Sequence, residues 1–223
     1  MDRYTNGDYR AKNPDWHAGD APHKAKAIVQ LVRDVGWKPA FVGEAGCGSG
    51  QVLQRVCAAL GARGHGVDPS KEALRQAPQN PQIQFEQGGV DALPACDMVM
   101  GIDVVEHVAD DIGFVRAMAA KSDHIVLRIP LDVSALDSVR PARMLEARRR
   151  FGHRSVYTVD LALALVQDAG LQVVTHRTDR VPVRAASRIG RVSDKARRVL
   201  HFLAPEATTR WLGGYSLLIA CTP

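Results

Sequence analysis

No stretch of this 223-residue chain approaches the roughly 18 consecutive apolar residues needed to span a bilayer. The opening Met1-Asp2-Arg3-Tyr4-Thr5-Asn6 lacks the apolar core of a secretory signal. Cys47, Cys57, Cys96 and Cys221 are widely spaced, with no C-x-x-C pair and no finger-like arrangement with histidines. Their spacing argues against a zinc finger or a disulfide scaffold and predicts reduced, mostly buried thiols in a cytoplasmic protein. Neither an internal repeat nor a low-complexity segment is present. Charged residues make up 24% and hydrophobic residues 46%, the balance of a globular chain rather than a disordered one. The length suits one α/β domain over residues 1–223, long enough to bury a sizeable core.

Net charge is +5, but it is unevenly placed. Residues 138–154 hold six arginines against Glu146, and residues 177–198 hold eight Arg/Lys against Asp179 and Asp194. These two segments carry +11, which leaves −6 for the remainder. The basic character belongs to segments, not to the whole chain.

The most informative stretch is Phe41-Val42-Gly43-Glu44-Ala45-Gly46-Cys47-Gly48-Ser49-Gly50, followed by Gly64-His65-Gly66-Val67-Asp68. It reads as a strand, a glycine-rich turn, a helix and a second strand ending in a carboxylate. Glycines at alternate positions let the backbone turn tightly and approach a ligand closely. The turn opens a helix whose free N–H groups favour an anionic group. Asp68 follows Glu44 by 24 residues, near the spacing at which a second-strand acid reaches a ribose hydroxyl. A nucleoside-containing cofactor follows. Two fingerprints are missing, however. Gln51 or Leu53 stands where G-x-G-x-x-G needs its third glycine, and Gly50 precedes Gln51 rather than the Lys of a P-loop.

Periodicity supplies the remaining elements. Residues 1–19 read as a polar arm containing Trp16 and His17. Asp20 is placed to cap a helix with Pro22 in its first turn and an apolar stripe of Ala25, Ile28, Leu31, Val32 and Val35. Strands are predicted at 40–44, 63–68, 83–86, 97–102 and 123–129, with a helix capped by Ser49 after the first and a short helix after Pro69-Ser70. Val105, Val108, Ile112, Val115 and Ala119 mark one further helix. Thr158 caps another that ends at Gly170, before strands at 171–175 and 214–221. Alternation of this kind predicts an α/β, doubly wound, mostly parallel seven-stranded sheet with its ligand at the carboxyl ends of the strands. The expected layout is an arm or lid (1–19), a cofactor-binding core (20–177), a basic helical cap insertion (178–210) and a last strand (211–223).

The pattern E-x-G-x-G-x-G, with Asp68 after it, resembles motif I of the class I S-adenosylmethionine-dependent methyltransferases. Phe85-Glu86-Gln87-Gly88-Gly89-Val90-Asp91-Ala92-Leu93-Pro94 is similar to that family's loop after the third strand. The segment from Cys96 to Val108, with Gly101-Ile102-Asp103-Val104-Val105-Glu106-His107, looks like its motif IV. Gly152-His153-Arg154-Ser155-Val156-Tyr157-Thr158 looks like the late segment common in the small-molecule branch, including the ubiquinone-pathway O-methyltransferases. The resemblance implies S-adenosyl-L-methionine as cofactor. Its methionine part would lie over Glu44, Ala45, Gly46 and Gly48, and its ribose on Asp68 and Pro69. Ile102 and Asp103 would flank it. Where the family often has Gly-Asp facing the adenine, this chain has Gly88-Gly89, so adenine contacts fall to backbone at Gly89 and Val90 or to Asp91.

Methyl transfer from a sulfonium is an in-line displacement that needs a placed nucleophile and, for a hydroxyl, a proton acceptor. His107 is the candidate general base; the other reading is a histidine that orders its loop. Asp103, Glu106 and His107 stand at i, i+3 and i+4, one face of a helix that starts at Asp103. The resemblance links such a set to a divalent metal, and the alternative is first-turn acids that offset the helix dipole. Trp16, His17 and Asp20 either close over substrate or seat a Trp at the core edge. Cys47 reads as a packing residue. Arg148 and Arg149 are candidate acceptor contacts, which suits an anionic or membrane-presented small molecule. The amphipathic, basic 187–204 reads as a substrate cap, a membrane-surface helix, a nucleic-acid patch or a solvated face. The leading function is methyl transfer to a small, sugar- or lipid-linked acceptor at oxygen. RNA or protein methylation and non-catalytic cofactor binding stand as alternatives. Against the nucleic-acid reading, there is no Asn-Pro-Pro-Tyr-type motif and no recognisable RNA-binding module.

Overall fold

The computed structural model describes residues 18–139, 144–145, 148–149, 152–180 and 199–223. A turn of 3-10 helix at Ala18–Asp20 leads into α1 (Ala21–Asp34). Asp20 holds the cap position there, but its side chain makes no cap bond, because its backbone is already in a helical conformation. Then come β1 (Phe41–Ala45), α2 (Gln51–Leu60), β2 (Arg63–Asp68), α3 (Lys71–Leu74) and β3 (Ile83–Gln87). They are followed by β4 (Met98–Ile102), α4 (Asp111–Ala119), β5 (Ile125–Leu131) and α5 (Ala135–Val139). The last are α6 (Val159–Asp168), β6 (Gln172–Asp179), α7 (Pro205–Leu212) and β7 (Tyr215–Thr222).

The seven strands form one sheet in the order β3-β2-β1-β4-β5-β7-β6. The first five strands are mutually parallel, and β7 runs antiparallel to both β5 and β6. Strand β4 is buried along its whole length, as a central strand with helices on both faces must be. Successive residues of β5 serve opposite cores. Val126 packs with Ile28, Val32, Leu53 and Met98, whereas Leu127 packs with Val115, Met118, Leu165 and Val166. Truncating so enclosed a side chain, for example by Leu127→Ala, costs about 2–5 kcal/mol.

Three sequence expectations change. Ser49 does not cap α2. Gly50 holds that position with φ +68° and no side-chain bond, because the turn closes through the Gly50 amide on the Cys47 carbonyl. The predicted helix through Val105–Ala119 is broken. A 3-10 turn covers Val105–His107, and α4 starts only where the Asp110 side chain accepts from the Gly113 amide. Asp103 itself has φ +53°, so Asp103, Glu106 and His107 do not share a helical face. Strand β6 runs on to Asp179 past an irregularity between Val173 and Thr175, extended by pairing with β7.

Candidate active site

The parallel strands bring their carboxyl ends to one edge, and most of the expected cofactor contacts lie along it. Gly46, Gly48 and Gly50 have φ of +71°, +53° and +68°, a region L residues rarely enter. Two of them are also sterically required. A Cβ on Gly46 would lie 2.5 Å from Val104 Cγ2, and one on Gly50 would lie 2.3 Å from the Phe85 ring. At Gly48 a Cβ meets nothing within 4 Å. The turn is held by the Gly46 and Cys47 amides, which donate to the Val67 carbonyl. Asp68 fastens it further: Oδ2 accepts the Gly48 amide and Oδ1 the Ser70 amide, each at 2.8 Å. Gly88 N–H donates to the Asp68 carbonyl, which sets Gly89 and Val90 near Pro69 at the carboxyl end of β2. Val90 is buried, and the space beyond Gly89 Cα is open. Ala45 and Ile102 end β1 and β4 as buried residues.

Glu44 is enclosed, with Oε2 lacking a hydrogen-bond partner among the described residues. Burial raises its carboxyl to about 8, against the pull of the Leu53 amide at the α2 N-terminus and of Lys24. Cys47 is a packing thiol: burial pushes it far above its ordinary value, and its Sγ lies 2.8 Å from where a Gly66 Cβ would stand. A neutral thiol has no nucleophilic role.

Asp103 is committed elsewhere. Arg128 Nη1 lies 2.5 and 2.6 Å from its two oxygens, and Lys24 Nζ lies at 2.8 Å. Burial alone would raise this carboxyl, but Arg128 and then Lys24 outweigh it and hold it well below the usual carboxylate range. Arg128 Nε also donates to Asp179 at 2.9 Å, and His23 pairs with the second Asp179 oxygen at 2.7 Å. The chain thus joins α1, the end of β4, β5 and the end of β6. A divalent ion on the Asp103–Glu106–His107 set does not fit, because two cations already occupy the Asp103 oxygens.

What converges instead is Glu106, His107 and His153, with one ligand atom from each within 4.8 Å of the others. Such a set can ligate a metal ion or relay a proton. Glu106 is fully buried, and its carboxylate oxygens have no hydrogen-bond partner among the described residues, with His107 Nε2 3.7 Å from Oε1. Burial followed by the Asp103 charge pushes its carboxyl well up. The His107 and His153 rings meet edge to face at 5.0 Å. Burial and then His153 lower His107 to about 4. His153 Nδ1 is hydrogen-bonded to Asp132 Oδ2, just past β5. The late segment is strapped to this loop, since the Arg154 and Ser155 amides donate to the Glu106 carbonyl at 2.7 and 3.2 Å. Tyr157 Oη donates to Asp111 at 2.6 Å.

Sequence reasoning passed over His153 as a site residue although it stands in the quoted late segment. It also missed Arg128, whose signal was a lone charge inside an otherwise apolar strand. Arg148 and Arg149 are exposed residues between α5 and α6. Trp16 and His17, Arg150, and residues 181–198 of the basic insertion lie outside the described residues.

Residues 18–176 match the model of a family described as a methyltransferase domain. Over 84 residues the chain is 36% identical to the ubiquinone biosynthesis O-methyltransferase of Methylobacterium sp. (strain 4-46), covering 34% of this chain and 33% of that one. The match thus spans about a third of that relative's length. Magnesium protoporphyrin IX methyltransferase from Synechocystis PCC 6803 with bound SAH has the same fold, with a TM-score of 0.60 and 17% identity over 89% of this chain and 81% of that one. The cyclopropane synthase MmaA2 from Mycobacterium tuberculosis superposes with a TM-score of 0.62 at 15% identity, over 89% of this chain and 84% of that one. A family model over most of the chain, a seven-stranded sheet of matching topology and an acid-anchored glycine turn agree: the chain belongs to the methyltransferase-domain family, that of the class I S-adenosylmethionine-dependent methyltransferases.

Proposed function

We propose that this chain transfers the methyl group of S-adenosylmethionine to an oxygen of a small, anionic acceptor. The observation that carries the reading is the juxtaposition, on one sheet edge, of a turn anchored by Asp68 with the buried His153 and the partly buried His107. Asp68 would hold the ribose hydroxyls through its carboxylate oxygens, which end the second strand beside the glycine turn. The open space at Gly48 takes the methionine part, and Glu44 faces its ammonium group. Gly89 and Val90 offer backbone to the adenine. The cofactor supplies the electrophilic methyl carbon. An acceptor oxygen forms the new C–O bond as the C–S bond breaks, and its proton passes to the histidine pair. His107, kept neutral by burial, receives it beside His153, which Asp132 holds in one orientation. The single-domain layout, with the arm carrying Trp16 and His17 as a lid and Arg148 and Arg149 as acceptor contacts, belongs to the same reading.

The test is calorimetry with S-adenosylmethionine, SAH and NAD, followed by transfer of a radiolabelled methyl group to phenolic, carboxylic and RNA acceptors. Binding of the first two ligands alone, with label entering a phenolic or carboxylic oxygen, supports the reading. Tight NAD binding overturns the cofactor. Label entering RNA overturns the acceptor.

A further inference from the structure

Among the described residues, half of the exposed large apolar side chains fall in one short stretch before the last strand, and the others are dispersed along the chain. Helical residues 199–203 leave Val199, Leu200, Phe202 and Leu203 in solvent, Phe202 at 86% and Leu203 at 71% exposure, and Trp211 on α7 is 68% exposed. The stretch is nonetheless anchored. His201 turns inward, stacked on Tyr215 with ring centroids 4.5 Å apart and Nε2 3.2 Å from Thr178 Oγ1. Thr208 and Thr209 form the buried side of α7. The C-terminal cap of α7, Gly213, abuts Ser134 and Asp137 of the α5 start, and α5 ends in the exposed Val139. The apolar residues are therefore the outward face of a fixed scaffold. Scattered exposed leucines need no explanation, but a cluster with a Phe and a Trp does.

The register locates this face. Tyr215 pairs with Leu131 and Ser216 with Asp179, so residues 199–212 lie at the carboxyl end of β5, the edge that carries Asp132 and His153. Charge indicates what covers it. The segment that runs into the face, residues 177–198, has eight Lys/Arg against two Asp, and residues 138–154 have six Arg against one Glu, in a chain whose remainder is negative. Aliphatic residues with an aromatic, preceded directly in the chain by Arg197 and Arg198, match a bilayer interface: an apolar face enters the headgroup boundary and adjoining cations favour anionic headgroups. Trp suits the same depth. A single-stranded nucleic-acid surface calls for stacking aromatics and cations along a groove rather than a run of exposed aliphatic side chains.

We propose that residues 199–211 form a docking face for an anionic lipid bilayer, which sets the candidate active site's edge toward the membrane surface. This face is independent of which acceptor is methylated.

The experiment is co-sedimentation of the full chain with phosphatidylcholine vesicles, with and without phosphatidylglycerol, at low and high salt. Binding to the anionic vesicles, lost at high salt, is expected. The double variant Phe202→Ser, Leu203→Ser should weaken it by about tenfold or more, the scale of two large apolar side chains leaving the interface. Its SAH affinity, read by calorimetry, should stay at the parental value. That control separates failure of docking from failure of the methyltransferase reading. Trp211 emission should shift to the blue on anionic vesicles, with Trp211→Phe as the control. Equal partition onto both vesicle types, or a double variant that sediments like the parent, overturns the proposal. So does a parental dimer that the double variant dissociates, since the face would then belong to a second copy. RNA competing the chain off vesicles through Phe202 and Leu203 overturns it too.

Discussion

Asp68 Oδ2 accepts the Gly48 amide at 2.8 Å, so the acid that ends the second strand also fastens the glycine turn that ends the first. One side chain thus shapes the turn and, in the proposed function, also bonds the ribose. Its two tasks are separable by experiment.

Asp68→Ala removes the ribose acceptor and the tether together and should weaken SAH binding by roughly 2–4 kcal/mol. Asp68→Asn retains one acceptor oxygen and should fall between that variant and the parent. Titration calorimetry reads both; parental affinity in Asp68→Ala sinks the ribose assignment.

Gly48→Ala and Gly50→Ala should fail in different ways. Both force a left-handed residue, at roughly 1–2 kcal/mol. Only at Gly50 does the new Cβ meet the protein, 2.3 Å from Phe85. Gly50→Ala should therefore lower Tm more. Gly48→Ala, whose methyl enters space open in the protein, should lose more SAH affinity. Thermal melts with and without SAH distinguish the two, and the reverse ordering contradicts the assignment of that space.

Glu44 links cofactor binding to protons. Its carboxyl stands at about 8 in the fold against an ordinary 4.5, so at neutral pH it is mostly protonated. A raised acid contributes stability that is full below 4.5 and is lost as pH rises through about 8. S-adenosylmethionine brings an ammonium and a sulfonium, which favour the carboxylate, so binding near pH 7 should release protons. Calorimetry in two buffers of different ionisation enthalpy measures this, and Glu44→Gln should abolish the difference. No buffer dependence in the parent would show that Glu44 does not lose a proton on binding and would overturn this linkage.

For His107 the sign is opposite. Its pKa is lowered to about 4, so its contribution to stability is full above 6.5 and lost as pH falls through about 4. If it is the proton acceptor, kcat/KM should decline on the acid side near 4 rather than near 6.5. His107→Ala should lower turnover about a hundredfold or more while SAH affinity is kept. Unchanged turnover reduces His107 to a loop-ordering residue.

Much of this was legible because local chemistry speaks for itself. Alternate glycines demand a tight turn, and uninterrupted apolar runs such as Met98–Ile102 demand a doubly covered strand. The order of strands and helices therefore followed from residue pattern, as did the glycine turn with Asp68 beyond it. Short-range capping was readable at Thr158 but not at Ser49, where the closing Gly50–Cys47 bond decides the geometry.

Partnership between distant residues was settled only by the tertiary structure. Nothing along the chain says that Arg128 takes the Asp103 carboxylate while its Nε holds Asp179, because those residues meet only once β4, β5 and β6 lie in one sheet. Nor does spacing reveal that His153 comes to His107: the link runs through two amides on the Glu106 carbonyl, 48 residues away from Arg154. Burial then sets the charge states. Glu44 rises and His107 falls because desolvation depends on what surrounds a group in space, and sequence neighbours do not contain that information.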